Sequence, residues 1–169
     1  MFNKFFMKKI FLINLIICCS IIFSGCEAEK QIGMPNPWCD CGINANVARN
    51  IAGFNFGLAP KGYEIRAMKN LFEVRFPLDK NRIVTVRKTM DETNDGDCSG
   101  DYNQYPVNKE YTLPNTVVVN IRGNKELVNV MYFCAESGCF SVQCNEGMNY
   151  DEIYQIFKMI EEVEAPKCL

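Results

Sequence analysis

The residues best suited to chemistry in this chain are acidic side chains that crowd one loop. Asp95, Asp97 and Asp101 recur at short intervals, with Ser99 between them and glycines at the bends. Oxygen ligands at alternating positions around a glycine are typical of the first half of a calcium-binding loop. The twelfth position of such a loop requires a bidentate glutamate, and here it is Pro106. The pattern therefore excludes an EF-hand.

Two interpretations of the acidic loop stay open. Asp95, Asp97, Ser99 and Asp101 could hold a calcium ion in a looser site, since carboxylate and hydroxyl oxygens are its preferred ligands. Equally, aspartate, serine and glycine are the residues from which any solvated turn is built. We predict no cofactor, and we keep calcium as the alternative.

Three tyrosines, Tyr102, Tyr105 and Tyr111, line the exit of the same loop. Tyrosine combines a large apolar ring with a polar hydroxyl, which suits a surface that contacts a partner. Alternatively, the three tyrosines are ordinary packing residues at a partly solvent-exposed strand edge. Because loops held on a rigid sheet usually carry function, we predict that residues 91–111 form the interaction surface.

The cysteines are the second group that could do chemistry. The chain has 10 cysteines and no histidine. In an exported domain, a cysteine set of this kind favours disulfides with one thiol left over, and the alternative is reduced cysteine in the core. Outside the N-terminal segment, the candidates are Cys39, Cys41, Cys98, Cys134, Cys139, Cys144 and Cys168.

Hairpin register decides whether Cys134 and Cys139 can bond to each other. If the turn is Glu136-Ser137, the two cysteines lie directly opposite and can form a bridge. If Gly138 adds a third, left-handed loop residue, Cys134 faces Phe140 instead. The sequence is compatible with both registers.

Cys39 and Cys41 form a Cys-x-Cys pair, and thiolates suit zinc. No second close pair follows, so a zinc site has weak support. A thiol redox role is favoured only by the helix predicted to begin just after the pair, because a helix N-terminus activates a thiol. Either cysteine could instead bond to Cys168 and tie the C-terminal tail to the body of the protein.

Composition argues against two classes of function. Without histidine the commonest general base is missing, and so are Ser-His and Cys-His pairs, so we predict that the chain is not an enzyme. The formal net charge is −2, and no long basic run occurs. A protein of this kind is a poor nucleic-acid binder, and we predict no nucleic-acid partner.

The N-terminus indicates where the protein resides. Lys4, Lys8 and Lys9 precede an apolar run over 10–23, and small residues then lead to Cys26. This order is typical of a secretory signal, and its ending resembles a bacterial lipobox, in which the cysteine after the cleavage site carries lipid. We predict an extracytoplasmic lipoprotein anchored in a membrane through Cys26; which membrane stays open.

The same features predict the domain organisation. Residues 1–25 are the lipoprotein signal peptide, 26–37 a lipidated tether stiffened by prolines, and 38–169 a single domain. The size of that last segment is typical of one domain.

Alternating apolar residues predict strands in the middle of the chain. The Lys69-Asn70 and Gly123-Asn124 pairs are predicted turns. The strands are expected at 63–67, 72–76, 82–89, 116–122, 126–135 and 139–145.

Helices are predicted at both ends of the domain. Asn44 can cap a short helix over 44–51 that Gly53 ends, with Val47 and Ile51 on one face. Asn149 and Glu152 form a capping box for a second helix, whose apolar stripe needs a sheet to cover. That stripe is Ile153, Ile156, Phe157, Ile160 and Val163.

These elements together predict an α+β fold. We expect an antiparallel meander sheet of about six strands, with a short N-terminal helix and a C-terminal amphipathic helix packed on it.

Four motifs resemble those of an uncharacterised family of bacterial extracytoplasmic lipoproteins. They are Met34-Pro35-Asn36-Pro37, Arg87-Lys88, the run Ser99-Gly100-Asp101-Tyr102-Asn103, and Tyr105. The family pattern has an isoleucine where this chain has Cys98. The resemblance covers roughly 34–163 and implies a helix, a meander of strands and a closing helix in an extracytoplasmic protein. It implies no catalytic residues.

The expected function is a non-catalytic binding or sensor module that is tethered by lipid outside the cytoplasm. Its ligand is a small molecule or an envelope protein that the sequence leaves unspecified. A structural envelope protein that holds a partner is the first alternative. An envelope thiol redox or metal-binding protein is the second.

Overall fold

An eight-stranded antiparallel sheet and two helices form the part of the chain that this computed structural model describes, residues 36–91 and 96–165. The predicted signal segment, the anchor Cys26, the calcium ligand Asp95 and Cys168 lie outside the described residues. Among the described residues, neither helix is long and apolar enough to cross a bilayer.

The strands follow one another in two runs of four. The sheet order is β1-β2-β3-β4-β8-β7-β6-β5, so each run pairs neighbours in sequence and the two runs meet where β4 pairs with β8. The strands are β1 Cys39–Gly42, β2 Glu64–Met68, β3 Leu71–Pro77, β4 Ile83–Thr89, β5 Val107–Thr112, β6 Val118–Gly123, β7 Val128–Ala135 and β8 Gly138–Met148, and the helices are α1 Ala45–Ala52 and α2 Tyr150–Glu164.

The prediction of about six strands is wrong in number because both edge strands were missed. β1 has four residues, two of them half-buried cysteines, and β5 is mostly polar. Edge strands that are short or charged discourage pairing with other chains, and for the same reason they lack the apolar alternation that reveals a strand. The sheet is also not a continuous meander, because β5 lies at the edge far from β4.

Helix α1 has the predicted ends but a different buried face. The Asn44 side chain accepts a hydrogen bond from the Val47 backbone N–H at 3.2 Å, and Gly53 ends the helix at φ 90°. The buried residues are Ala48 and Ala52, whereas the Val47 side chain is 40% exposed. Small side chains let the helix backbone approach the sheet closely.

Helix α2 confirms the predicted capping box and apolar stripe. The Asn149 side chain accepts from the Glu152 N–H, and the Glu152 carboxylate accepts from the Asn149 N–H, both at 2.9 Å. The buried residues are Ile153, Ile156, Phe157 and Ile160. Phe157 packs on Phe133 of β7 with ring centroids 5.0 Å apart, so the helix covers one face of the sheet.

The two faces of the sheet differ in chemistry. On the helix side, alternate residues of β3, β4 and β8, such as Val74, Val86 and Val142, are fully buried. On the opposite face the same strands carry charged and polar side chains. Cross-strand register aligns two of these, Glu73 and Arg87. This polar face carries the candidate site.

Candidate functional site

Residues 90–106 join β4 to β5. The described part after the gap, 96–106, lies over the polar face of the sheet and is called the crossover loop below. Arg122 of β6 donates to Asp97 at 2.5 Å and to the Ser99 hydroxyl at 3.1 Å. Gln143 of β8 donates to Asp101 at 3.0 Å. The described part of the loop is therefore attached to two strands that lie between its ends.

Asp101 accepts the most hydrogen bonds of the predicted loop residues that the structure describes. It is 6% exposed and accepts hydrogen bonds from the Asn103 N–H and the Tyr105 hydroxyl, both at 2.8 Å, and from Gln143. Burial acts to raise the pKa of Asp101, but these donors and the nearby Arg122 guanidinium outweigh it and hold the pKa below its ordinary value. The carboxylate is thus an internal anchor of the loop.

The predicted calcium ligands within the described residues are held by protein donors. Asp97 pairs with Arg122, and the Ser99 hydroxyl accepts from Arg122 and from the Asp101 N–H. In residues 36–91 and 96–165, no group of three or more His, Cys, Asp or Glu side chains is placed to hold a metal ion. The fourth predicted ligand, Asp95, lies outside that part of the chain, and calcium binding stays a prediction.

The three predicted partner tyrosines lie in different surroundings. Tyr102 is 93% exposed, Tyr105 donates its hydroxyl to Asp101, and Tyr111 packs against Tyr150 of α2 with ring centroids 4.8 Å apart. They do not form one exposed aromatic surface. Of the three, Tyr102 alone presents most of its ring to solvent.

The hairpin cysteines adopt the first of the two registers. Cys134 pairs with Cys139 and Ala135 with Gly138, which leaves Glu136-Ser137 as the turn, and a disulfide joins Cys134 to Cys139. The other candidates within the described residues, Cys39, Cys41, Cys98 and Cys144, are free thiols.

Three of the free thiols, Cys41, Cys98 and Cys144, have raised pKa values. The Sγ atoms of Cys39 and Cys41 are 3.6 Å apart, and burial followed by the hydrogen bond and charge of Cys39 raises the pKa of Cys41 to about 11. Burial also raises the pKa of Cys98, whose Sγ lies 3.3 Å from the Ser141 hydroxyl, and that of Cys144. Reactive cysteines are those whose pKa is lowered, so these environments disfavour thiolate chemistry.

Sequence reasoning missed a row of charges across β2, β3 and β4. Glu73 is 1% exposed, and its two carboxylate oxygens accept from Arg66 Nη1 at 3.4 Å and from Arg87 Nε at 2.8 Å. The ring of Trp38 lies against both guanidinium groups, 5.0 Å and 5.2 Å from their Cζ atoms. The sequence did carry a signal for this row, because charged residues alternate with apolar ones in the predicted strands and therefore lie on one face of the sheet.

The crossover loop contacts this row directly. Arg87 Nη1 donates to the backbone carbonyl of Ser99 and, at 3.5 Å, to that of Cys98. At Gly100 the φ of 65° is a left-handed conformation that favours glycine, and a Cβ atom there would lie 2.7 Å from Arg87 Nη1, so the guanidinium would have to shift. Arg87 therefore joins the loop to the buried Glu73.

An open cavity of about 380 Å³ lies on the polar face and is called the polar pocket below. Arg87 and Gln143 belong to its lining and also hold the crossover loop, so the loop stands at its side. The lining includes Arg66, Glu73, Arg75, Thr85, Arg87 and Gln143.

A second cavity of about 590 Å³ lies between α2 and the β7–β8 hairpin. Phe133, Phe140 and Phe157 form its apolar lining, with Glu136 and Glu161 also present. It is larger but offers few polar groups that could orient a ligand.

No protein-family model matches the chain, and neither the curated proteins nor the solved structures include a significant match to it.

Proposed function

We propose that this chain is a lipid-anchored extracytoplasmic binding module whose ligand occupies the polar pocket. The observation that carries the proposal is a preformed cavity of about 380 Å³ whose polar side chains are held by a buried carboxylate and by the crossover loop. Ligand sites are concave, preformed and supplied with a few polar groups of defined orientation.

The rigidity of the lining supports a binding role. Glu73 positions Arg66 and Arg87 through two oxygens, and Trp38 restricts both guanidinium groups from another side. Groups that are held before the ligand arrives lose less conformational entropy on binding.

Chemistry at the pocket supports binding over catalysis. The chain has no histidine, and Glu73 is committed to two arginines, so it is poorly placed to accept a proton. The raised pKa values of Cys41, Cys98 and Cys144 argue against the thiol redox alternative.

Filling the pocket tests the proposal. Thr85 lies between Arg75 and Gln143 in the cross-strand register, so Thr85→Tyr should occupy the cavity. Thr112→Tyr on the exposed edge strand β5 is the matched control. We expect at least one compound from a panel of sugars, amino acids and phosphorylated metabolites to change the Trp38 fluorescence of the full chain in detergent, with saturation. The response should persist in Thr112→Tyr and vanish in Thr85→Tyr.

Binding that Thr85→Tyr leaves intact would place the ligand elsewhere and refute the assignment of the pocket. A panel without any saturable response would count against the binding function itself.

A further inference from the structure

The guanidinium groups of the polar pocket have donors left over after their internal contacts. Each guanidinium carries five N–H donors in a planar fork. Arg66 uses Nε on Asp40 at 2.8 Å and Nη1 on Glu73, and Arg87 uses Nε on Glu73 and Nη1 on the crossover loop. Among the described residues, the Nη2 groups of both arginines make no hydrogen bond.

Arg75 is the third guanidinium and has no partner within the described residues. It makes neither an ion pair nor a side-chain hydrogen bond there, although it is only half exposed. Glu64 lies opposite it in the register of β2 and β3, yet it is exposed and forms no ion pair with it. Thr85 lies opposite Arg75 on the other side and offers a neutral hydroxyl.

The charges around the pocket favour an anion over a cation. Both oxygens of Glu73 already accept from arginines, and its side chain is buried beneath them. The other acidic residue of the lining, Glu146, is exposed to solvent. Arg66 and Arg87 share the buried Glu73, and Arg66 also pairs with Asp40, so these two guanidinium groups face two carboxylates. Arg75, which has no acidic partner among the described residues, adds positive charge to this surface that a bound anion would neutralise.

The geometry of arginine narrows the chemistry of that anion. The planar fork donates two parallel hydrogen bonds to carboxylate or phosphate oxygens, and such charge-assisted bonds are about twice as strong as neutral ones. We propose that the polar pocket binds its ligand through a carboxylate or phosphate group, held by Arg75 and by the Nη2 groups of Arg66 and Arg87. This inference rests on the proposed function of the same pocket.

The chain supplies its own reporter for this event. Trp38 is the only tryptophan, and its ring contacts both Arg66 and Arg87. An anion that draws these guanidinium groups toward the pocket changes the surroundings of the indole. Tryptophan fluorescence of the intact protein therefore reads the occupancy of the site without a label.

The test compares two oxyanion probes with a neutral one on the full chain in detergent. Inorganic phosphate, glucuronate and glucose are titrated at constant ionic strength while Trp38 fluorescence is recorded. Arg75→Gln removes the guanidinium without breaking an ion pair within the described residues, and thermal unfolding checks that the variant folds. Arg49→Gln on the exposed side of α1 makes the same charge change away from the sheet.

We expect a saturable response to at least one oxyanion and none to glucose. Binding to Arg75→Gln should be weaker by tenfold or more, while Arg49→Gln behaves as the wild type. A response to phosphate alone assigns a phosphorylated ligand, and a response to glucuronate alone assigns a carboxylate.

The inference is overturned if neither oxyanion gives a saturable response, or if Arg75→Gln and Arg49→Gln bind equally well. The proposed function fails separately from it. Suppose that a neutral ligand binds to the wild type and to Arg75→Gln but not to Thr85→Tyr. The pocket would then still be the ligand site, and the inference that it binds an anionic group would be wrong.

Discussion

Glu73 shows how one buried side chain organises the polar face. A carboxylate at 1% exposure would be strongly unfavourable alone, and two arginines compensate its charge. The pair interactions in turn fix the guanidinium groups beside the pocket. Replacing Glu73 would therefore disturb the positions of Arg66 and Arg87 as well as the stability of the sheet.

Asp101 holds the crossover loop in place, as Glu73 holds the arginines of the polar face. Its three donors and Arg122 keep its pKa below the ordinary value despite burial. A group whose folded pKa is lowered stabilises the fold above its unfolded pKa of about 3.9, and this contribution is lost as the pH falls through the folded pKa. The loop should accordingly detach in acid.

Asp101→Asn tests this assignment. We expect the free energy of unfolding at pH 7 to fall by about 1–3 kcal/mol, because a charged acceptor of several hydrogen bonds is lost. The difference from the wild type should begin to shrink below about pH 4, where Asp101 of the unfolded chain takes up a proton, and should vanish as the pH falls through the lower pKa of the folded carboxylate. Urea unfolding between pH 7 and pH 3 measures both curves.

Asp151→Asn is the control for that experiment, since it changes the same charge at an exposed position of α2. A constant gap between Asp101→Asn and the wild type over this pH range would show that the carboxylate contributes no acid sensitivity.

At the scale of elements, an ion pair on the helix side ties the end of α2 to β4. Lys88 is 5% exposed, and its Nζ lies 2.6 Å from a carboxylate oxygen of Glu164. The rings of Phe56 and Phe140 lie 5.8 Å and 5.5 Å from the same Nζ. The pair places a charge among aromatic side chains at the point where the helix ends.

Removing one partner of this pair should cost more than removing both. We expect Glu164→Gln to lower the free energy of unfolding by about 3 kcal/mol, because it leaves the Lys88 charge buried and unpaired. The double variant Lys88→Met/Glu164→Gln should recover most of that loss, since an apolar residue of similar length fills the same space. Urea denaturation of the three proteins gives both values.

Equal stability of Glu164→Gln and the wild type would mean that water reaches the Lys88 ammonium and that the pair does not hold the helix. Glu161→Gln, one turn earlier on α2 and exposed, controls for the loss of a helix charge.

For the whole molecule, the sheet separates two tasks between its faces. The helix side holds the apolar core and both helices, which stabilises the domain. The opposite face holds the crossover loop and the polar pocket. Residues of the site therefore do not have to pack in the apolar core. Half-covered antiparallel sheets allow this division because alternate residues of each strand point to opposite sides.

The predicted anchor concerns the whole molecule as well. We expect the full chain, expressed in a bacterium, to lose residues 1–25, to incorporate labelled palmitate and to enter the detergent phase on phase separation. Cys26→Ala should abolish labelling and shift the protein toward the aqueous phase. Cys18→Ala, within the predicted signal, should leave both properties unchanged.

A protein that keeps its first residues, or that carries no lipid with Cys26 intact, would remove the predicted compartment. The polar pocket would remain, but its ligands would have to be sought elsewhere in the cell.

Local chemistry was enough to predict the ends of both helices and the Lys69-Asn70 turn, whereas the predicted Gly123-Asn124 turn is wrong, because Gly123 lies in β6 and residues 124–127 form the connection. Asn44, Gly53 and the Asn149 capping box act within a few residues, so their signals are complete in the sequence. The Lys69-Asn70 turn is found with Met68 opposite Leu71, because a short turn sets the register of its own strands. The Cys134–Cys139 disulfide was one of two registers that the same reasoning allowed.

Long-range pairing could not be read in this way. Nothing local indicates that β4 pairs with β8 or that β5 lies at the far edge, since these arrangements depend on which surfaces pack best in the complete sheet. The same pairing carries the crossover loop over the polar face and brings Trp38, Glu73 and Arg87 together. Residues distant in sequence meet there because burial of the apolar face sets the strand order, and that order then determines which polar side chains become neighbours.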